Sequence, residues 1–397
     1  MSSDPFGAPS MTQPMETPAT SPLRIVPRWR LLSAIVLFAA VVPSVLMTAP
    51  ILAAQLASQW GLTPSQIGNL FMVELGAMSL ATIPAAFWLK RVNLRHAALV
   101  SALLFIIGNL LSAQAERYAP LIILRGMTAL GGGSLMILCM SCAASLPNSS
   151  RIYALWVLGQ LVLGAIGLQV LPGLFTVYGL GACYLILAAL MLLLLPMTCA
   201  FPGHLLQSAL GNIRQLRTGK ALLGMAAIFT FYLSLSGVWT FIGSLAESAS
   251  ISAYDSGRIL AIATVMGILG AGLASWVGDR LPRTLSLLGG YGLMILAVLL
   301  LQGQPEPQRF ALAALTFKFT WTFVLPMVLA SIAELDPSGR LMNLSNLVIG
   351  TGLATGPAVA GHLIQNSGGY QSTLLGAAFL TLISLLLAMA CRTPTPL

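Results

Sequence analysis

Residues 66–113 read QIGNLFMVELGAMSLATIPAAFWLKRVNLRHAALVSALLFIIGNLLSA. Two apolar stretches, 66–88 and 97–113, flank a short joint that carries Lys90, Arg91 and Arg95. At about 1.5 Å per residue, each stretch as a helix spans most of a bilayer core about 30 Å thick. Backbone amides and carbonyls inside lipid must bond one another, so each stretch is expected to be a helix. The basic joint then marks one face of the membrane.

The same alternation runs outward in both directions. Twelve stretches fit, at 31–54, 66–88, 97–113, 119–143, 152–175, 178–200, 221–245, 257–277, 284–301, 310–332, 342–364 and 371–390. Composition agrees: 57% of residues are hydrophobic and 7% charged, against about 25% charged in soluble domains. A chain of 397 residues matches twelve helices of about 20 residues plus short joints.

Sidedness follows from Lys and Arg. With the N-terminus inside, the inner segments hold Arg24, Arg28, Arg30, Lys90, Arg91, Arg95, Arg151, Arg214, Arg217, Lys220, Arg280, Arg283, Arg340 and Arg392, which is 14 of 19 basic residues. Arg117, Arg258 and Arg309 fall outside, and Arg125 and Lys318 lie within spans. Both termini are therefore expected in the cytoplasm. The formal net charge of +9 follows this pattern rather than one soluble face, which argues against a nucleic-acid partner.

Residues 1–23, rich in Pro, Ser, Thr and Met, read as a disordered cytoplasmic tail. They do not read as a secretory signal, because the arginines come late and a full span follows. The longest inner joint, 201–220, divides six spans from six and separates bundles at 24–200 and 221–391. Within it Leu205 to Leu216 suits an interfacial helix or a plain linker equally. The halves echo each other. From Gly68 to Lys90 and from Gly257 to Asp279 the spacing is 22 residues, which suggests parallel repeats with a site between them near mid-membrane.

GLASWVGDRLPR, Gly272 to Arg283, closes the eighth span. It resembles the Gly-x-x-x-Asp-Arg-x-x-Arg loop signature of the major facilitator superfamily, with Asp279, Arg280 and Arg283 in the charged positions. The resemblance covers 24–391 and implies an all-α membrane fold of twelve transmembrane helices in two pseudo-symmetric six-helix bundles. It implies a gating role for these residues, since a carboxylate at a helix end can bridge to a neighbour and arginines can anchor the loop. A simple helix-ending Asp-Arg pair is the plain alternative. In the first half Lys90 stands where the acid belongs, leaving Arg91 and Arg95 as the surviving gate residues. LRGMTALGGGSLM, around Arg125 and Gly131 to Gly133, is similar to the family's fourth-helix motif, whose Arg is associated with proton coupling. Gly352, Gly356, Pro357, Ala360 and Gly361 look like the antiporter motif, but in the eleventh span. The fifth span has Gly164 without the Pro, a departure from the drug antiporters. Close helix packing explains these glycines as well as transport does.

Glu74, Arg125 and Lys318 are ionisable groups inside spans. Such charges cost about 3 kcal/mol or more unless paired or hydrated, so they are functional candidates. Counted from the span starts they share one layer, about 9–12 Å below the outer boundary. The family resemblance puts helices one, four, seven and ten around the central cavity. Arg125 and Lys318 are then expected to face it and to bind an anionic group such as a carboxylate. A structural ion pair between Arg125 and Glu74 is the alternative for Arg125. Glu74 is the expected proton carrier, with Arg125 as coupling partner, unless that pair is permanent. Tyr232, Trp239 and Phe241 on helix seven, and Phe317, Trp321 and Phe323 beside Lys318, could stack on an aromatic or amphipathic solute, or simply pack. Glu247 and Asp255 read as rim residues.

Other classes fit less well. Cys139 and Cys142 lie within a span without matching ligands, and His96, His204 and His362 are scattered, so neither metal nor cofactor is expected. No phosphate-cradling loop points to ATP. A sensor would need a signalling extension, and an intramembrane enzyme a nucleophile or metal cluster. The expected protein is a secondary transporter of a small organic solute, an organic anion in the first reading, moved by proton-coupled alternating access. Proton-antiport efflux of amphipathic drugs or metabolites is the alternative. A monomer in a bacterial inner membrane is expected by analogy with the family.

Overall fold

The computed structural model describes residues 28–89, 91–146, 149–203, 218–277, 280–335 and 340–391. The expected tail, most of the 201–220 joint, and Arg24, Lys90, His204, Arg214, Arg217, Asp279 and Arg392 lie outside these residues, as do the side chains of Arg28 and Arg340.

The first span is three helices, α1 (Arg28–Val41), α2 (Ser44–Met47) and α3 (Ala49–Trp60). The second is α4 (Pro64–Leu80) and α5 (Thr82–Trp88). Then come α6 (Leu94–Ala113), α7 (Tyr118–Ala144), α8 (Ser149–Tyr178) and α9 (Gly181–Leu194), the last tightening into a 3-10 turn over Leu195–Ala200. The second six spans are α10 (Thr218–Ser248), α11 (Ala253–Val277), α12 (Arg283–Leu300), α13 (Pro307–Ala333), α14 (Arg340–Ser367) and α15 (Gln371–Cys391). Among the described residues, eleven spans are long and apolar enough to cross a membrane. The chain is thus a multi-pass integral membrane protein of two six-helix bundles.

The first span departs from the expected single helix over 31–54. It breaks at Pro43 and again at Thr48, just before Pro50. A proline ring clashes with the preceding turn and offers no amide, so each one interrupts the ladder. Thr48 mends part of the second break by donating both its amide and its hydroxyl to the Ser44 carbonyl, at 2.9 and 2.8 Å.

The two ends of the bundle differ. One carries Arg91, Arg95, Arg151, Lys220, Arg280 and Arg283 and is called the basic end here. At the far end the chain turns sharply, and Gly61, Gly179 and Gly368 take φ of 62°, 67° and 70° there. Only glycine enters that left-handed region without steric cost, so these residues stop one helix and let the next return. Thr63 then starts α4 with a capping box, its side chain accepting from the Gln66 amide while Gln66 accepts from the Thr63 amide.

The halves meet along α4 with α14, α8 with α11, and α3 with α10. At the far end these seams are backbone against backbone. A side chain on Gly68 would overlap the Pro357 carbonyl, and one on Gly361 the Pro64 carbonyl. The Ser65 amide also donates to Gln365 Oε1 at 3.3 Å. The first seam continues down to Ser79 against Gly350. Glycines let membrane helices approach this closely, and the gain is van der Waals contact.

Candidate functional site

Lys318 sits on α13 with its side chain buried, 2% exposed. One turn on, Trp321 shares its face of the helix. From α10, Trp239 and Tyr232 stand two turns apart on one face. The Lys318 ammonium lies 3.7 Å from the Trp239 ring centre and 4.3 Å from that of Trp321. Phe317 stacks on Trp239 at 6.5 Å with ring planes 5° apart, and Trp321 meets Trp239 edge-on at 6.1 Å. Tyr232 closes the group, edge-on to Trp321 at 6.4 Å. The ammonium is therefore held in an aromatic cage. Among the described residues, the ion pairs are Glu74 with Arg125 and Arg283 with Glu334, so Lys318 has no carboxylate partner there. Each cation–π contact gives about 2 kcal/mol when desolvated, while burying an ammonium costs several. The cage offsets that cost in part and leaves the charge able to attract an anion.

Arg125 occupies a different place. It projects from α7 into the first half, 1% exposed. It bonds the Glu74 carboxylate of α4, Asn109 Oδ1 at 2.9 Å and Ser112 Oγ at 3.4 Å on α6, and lies 4.6 Å from the Tyr184 ring centre on α9. Asn109 is itself fixed by donating to the Phe105 carbonyl at 2.9 Å. A small cleft lined by Val42, Pro43, Leu46, Phe105 and Gly132 reaches Glu74. Of the two geometries open to Arg125 from sequence, the ion pair with Glu74 is the one present. The structure brings Lys318, Trp239, Trp321 and Tyr232 together and Glu74 with Arg125, as two separate centres.

Phe323 turns away from the cage and stacks on Phe319 at 6.1 Å. Phe241 is buried and lines a small cavity together with Leu301 and Leu374. At the far rim Glu247 and Asp255 are exposed, and Asp255 accepts from Ser252 Oγ at 2.6 Å. Tyr370, in the joint before α15, has its phenol pushed above the usual range, first by burial and then by the Glu247 carboxylate.

At the basic end Arg283 pairs with Glu334 at 2.5 Å, joining α12 to the end of α13. Arg280 donates to the Trp276 carbonyl at 2.8 Å and covers the Trp276 ring at 4.7 Å. Arg95 donates to the Phe201 carbonyl at 2.7 Å, and Arg91 is exposed. Asp279 lies outside the described residues. Each of the described bonds stays within one half. The glycines of the eleventh span serve packing: Gly352 and Gly356 lie against α10 at Tyr232 and Ser236, and Gly361 against α4.

Asn109, Ser112 and Tyr184 were not among the sequence candidates. An amide in the middle of LFIIGNLLSA was the available signal, since an isolated Asn inside an apolar span requires a polar partner.

The family model described as Major Facilitator Superfamily matches residues 31–340 and 225–397. Among solved structures the fold resembles a bacterial homologue of the human lysosomal transporter Spinster, in an inward-facing and occupied conformation. The TM-score is 0.71 at 14% identity, over 93% of this chain and 99% of that one. The same homologue in an inward-facing and unoccupied conformation gives 0.67 at 15%, over 93% and 99%. A variant of the nucleoside transporter NupG gives 0.70 at 16%, over 91% and 99%. No curated protein matches the sequence.

Proposed function

The chain belongs to the Major Facilitator Superfamily and is a transmembrane solute transporter, and from that premise we propose that it carries a small organic anion by proton-coupled alternating access. The observation that carries the anion is Lys318, a buried cation whose described partners are the π faces of Trp239 and Trp321. Arg125 adds no free charge, because Glu74 neutralises it. A single unpaired cation suits a monoanion, and the rings around it suit a solute with a flat apolar body. In this reading the ammonium moves off the indole faces onto the incoming carboxylate, while Trp239, Trp321 and Tyr232 take the body of the solute.

The basic end faces the cytoplasm, with both termini on that side, as the excess of Lys and Arg there indicates. The close far-end seams support a state closed to the outside, from which the site opens toward the cytoplasm. Asp279, Arg280, Arg283, Arg91 and Arg95 then act at the inner gate. The protein works as a carrier and not an enzyme, as a monomer in a bacterial inner membrane.

The Glu74–Arg125 pair favours a second reading, proton-antiport efflux of amphipathic compounds. A proton arriving on Glu74 would free Arg125 to rearrange, which is a coupling device. Charge movement in proteoliposomes separates the two. Small carboxylates should evoke currents that Lys318→Gln abolishes and Lys318→Arg retains in part. Responses only to lipophilic cations, unchanged in Lys318→Gln and lost in Glu74→Gln, would replace the anion reading with export.

A further inference from the structure

Pro50 is the second residue of α3, and its missing amide has a specific consequence. In an unbroken helix the Leu46 carbonyl would accept from the amide of residue 50, which in proline does not exist. The acceptor is met from the other half of the molecule: the indole N–H of Trp239 on α10 donates to Leu46 O at 2.9 Å. Leu46 is 6% exposed and Trp239 0%, so water cannot readily substitute for either partner. One turn further along α10, Gly243 brings the backbone against the Pro50 carbonyl so closely that a side chain would overlap it. Two successive turns of α10 thus engage the broken first span, one of them through an acceptor that only the break provides.

We propose that Trp239 is a positioning residue that latches the far end of the transporter shut. Its N–H holds the carbonyl freed by Pro50 while the far end is closed and must release it for that end to open. The same indole carries the Lys318 ammonium on its face, 3.7 Å from the ring centre. One side chain therefore joins the caged cation to the closure between the halves. This latch goes beyond the anion reading, because it requires the halves to rock but not a particular solute.

The test uses the full chain in lipid nanodiscs without any solute. Nitroxide labels go on Ser58→Cys at the end of α3 and Ser248→Cys at the end of α10, both exposed, with Cys199→Ser removing the exposed native thiol. Pulsed dipolar spectroscopy reads the far-end distance. Trp239→Phe keeps an aromatic face for Lys318 and loses the N–H. It should raise the ratio of long to short distances about tenfold, the worth of one buried hydrogen bond. Pro50→Ala restores an amide for Leu46 and should shift the distribution in the same direction. The double variant should move no further than the larger single one, because both remove the same bond. An unchanged distribution in folded Trp239→Phe, or additive shifts, would overturn the latch. Should Trp239→Phe not fold, Pro50→Ala decides alone, an unchanged distribution then counting against it. The outcome for Lys318→Gln in the transport assay has no bearing on this result.

Discussion

The carboxylate of Glu74 bonds the guanidinium of Arg125 between α4 and α7, with the two residues 7% and 1% exposed. At that depth the cost of desolvating the two charges offsets much of their attraction. Removing one partner strands a buried charge and costs about 3–5 kcal/mol, while removing both can be nearly neutral. Glu74→Gln should therefore lower the thermal stability of detergent-solubilised protein sharply, and Glu74→Gln with Arg125→Gln should recover most of the loss. Equal loss in the single and double variants would show that no stranded charge drives the loss and that the intact pair itself stabilises the fold.

Lys318 should behave in the opposite way. Its cage leaves part of the desolvation cost uncompensated, so Lys318→Met is expected to stabilise the empty protein by about 1–4 kcal/mol while abolishing transport. A carboxylate substrate at about 100 times its Kd should stabilise the wild type by about 2.7 kcal/mol and leave the variant unaffected. Melting curves with and without the anion check both statements.

The seam between α4 and α14 should tolerate no added methyl. Gly68→Ala and Gly361→Ala each set a Cβ against an opposing carbonyl, and a backbone cannot yield as a flexible side chain does. Each variant should insert and purify, since its own half is undisturbed. Each should lose transport about tenfold or more as the far end fails to close. Gly376, which faces open space, serves as the control: Gly376→Ala should transport normally.

The Arg283–Glu334 pair should matter little to stability. Its side chains are 24% and 57% exposed, and such pairs contribute about 0–1 kcal/mol. Glu334→Gln should shift the melting temperature only slightly, and less still at high salt. A large shift would mean that the pair is screened from solvent in the working protein.

The span pattern was legible because lipid leaves the backbone few choices. The stretch expected at 119–143 is α7 over 118–144, and that expected at 371–390 is α15 over 371–391. The first span differed because Pro43 and Pro50 weigh little in an apolar average yet each removes a ladder bond. The depth of Glu74, Arg125 and Lys318 could be counted from the sequence, and their shared layer made a Glu74–Arg125 pair conceivable. Direction could not be counted. Whether Arg125 turns toward α13 or toward α6 depends on a rotation of α7 that no joint fixes. The bonds that Arg125 donates to Asn109 and Ser112 decide it, 16 and 13 residues away in sequence. The Trp239–Leu46 contact, 193 residues apart, had no local signal beyond the proline that creates it.

The glycine seams also bear on how fast the halves can move. A joint of interlocking side chains must lift each knob out of its hole, and every rotamer dragged through an eclipsed angle adds to the barrier. Where Gly68 meets Pro357 and Gly361 meets Pro64 there is little to disengage. The two bodies touch like the smooth races of a bearing, with tight clearance and almost no teeth. Such a joint resists separation while it is closed and offers little friction once it begins to roll.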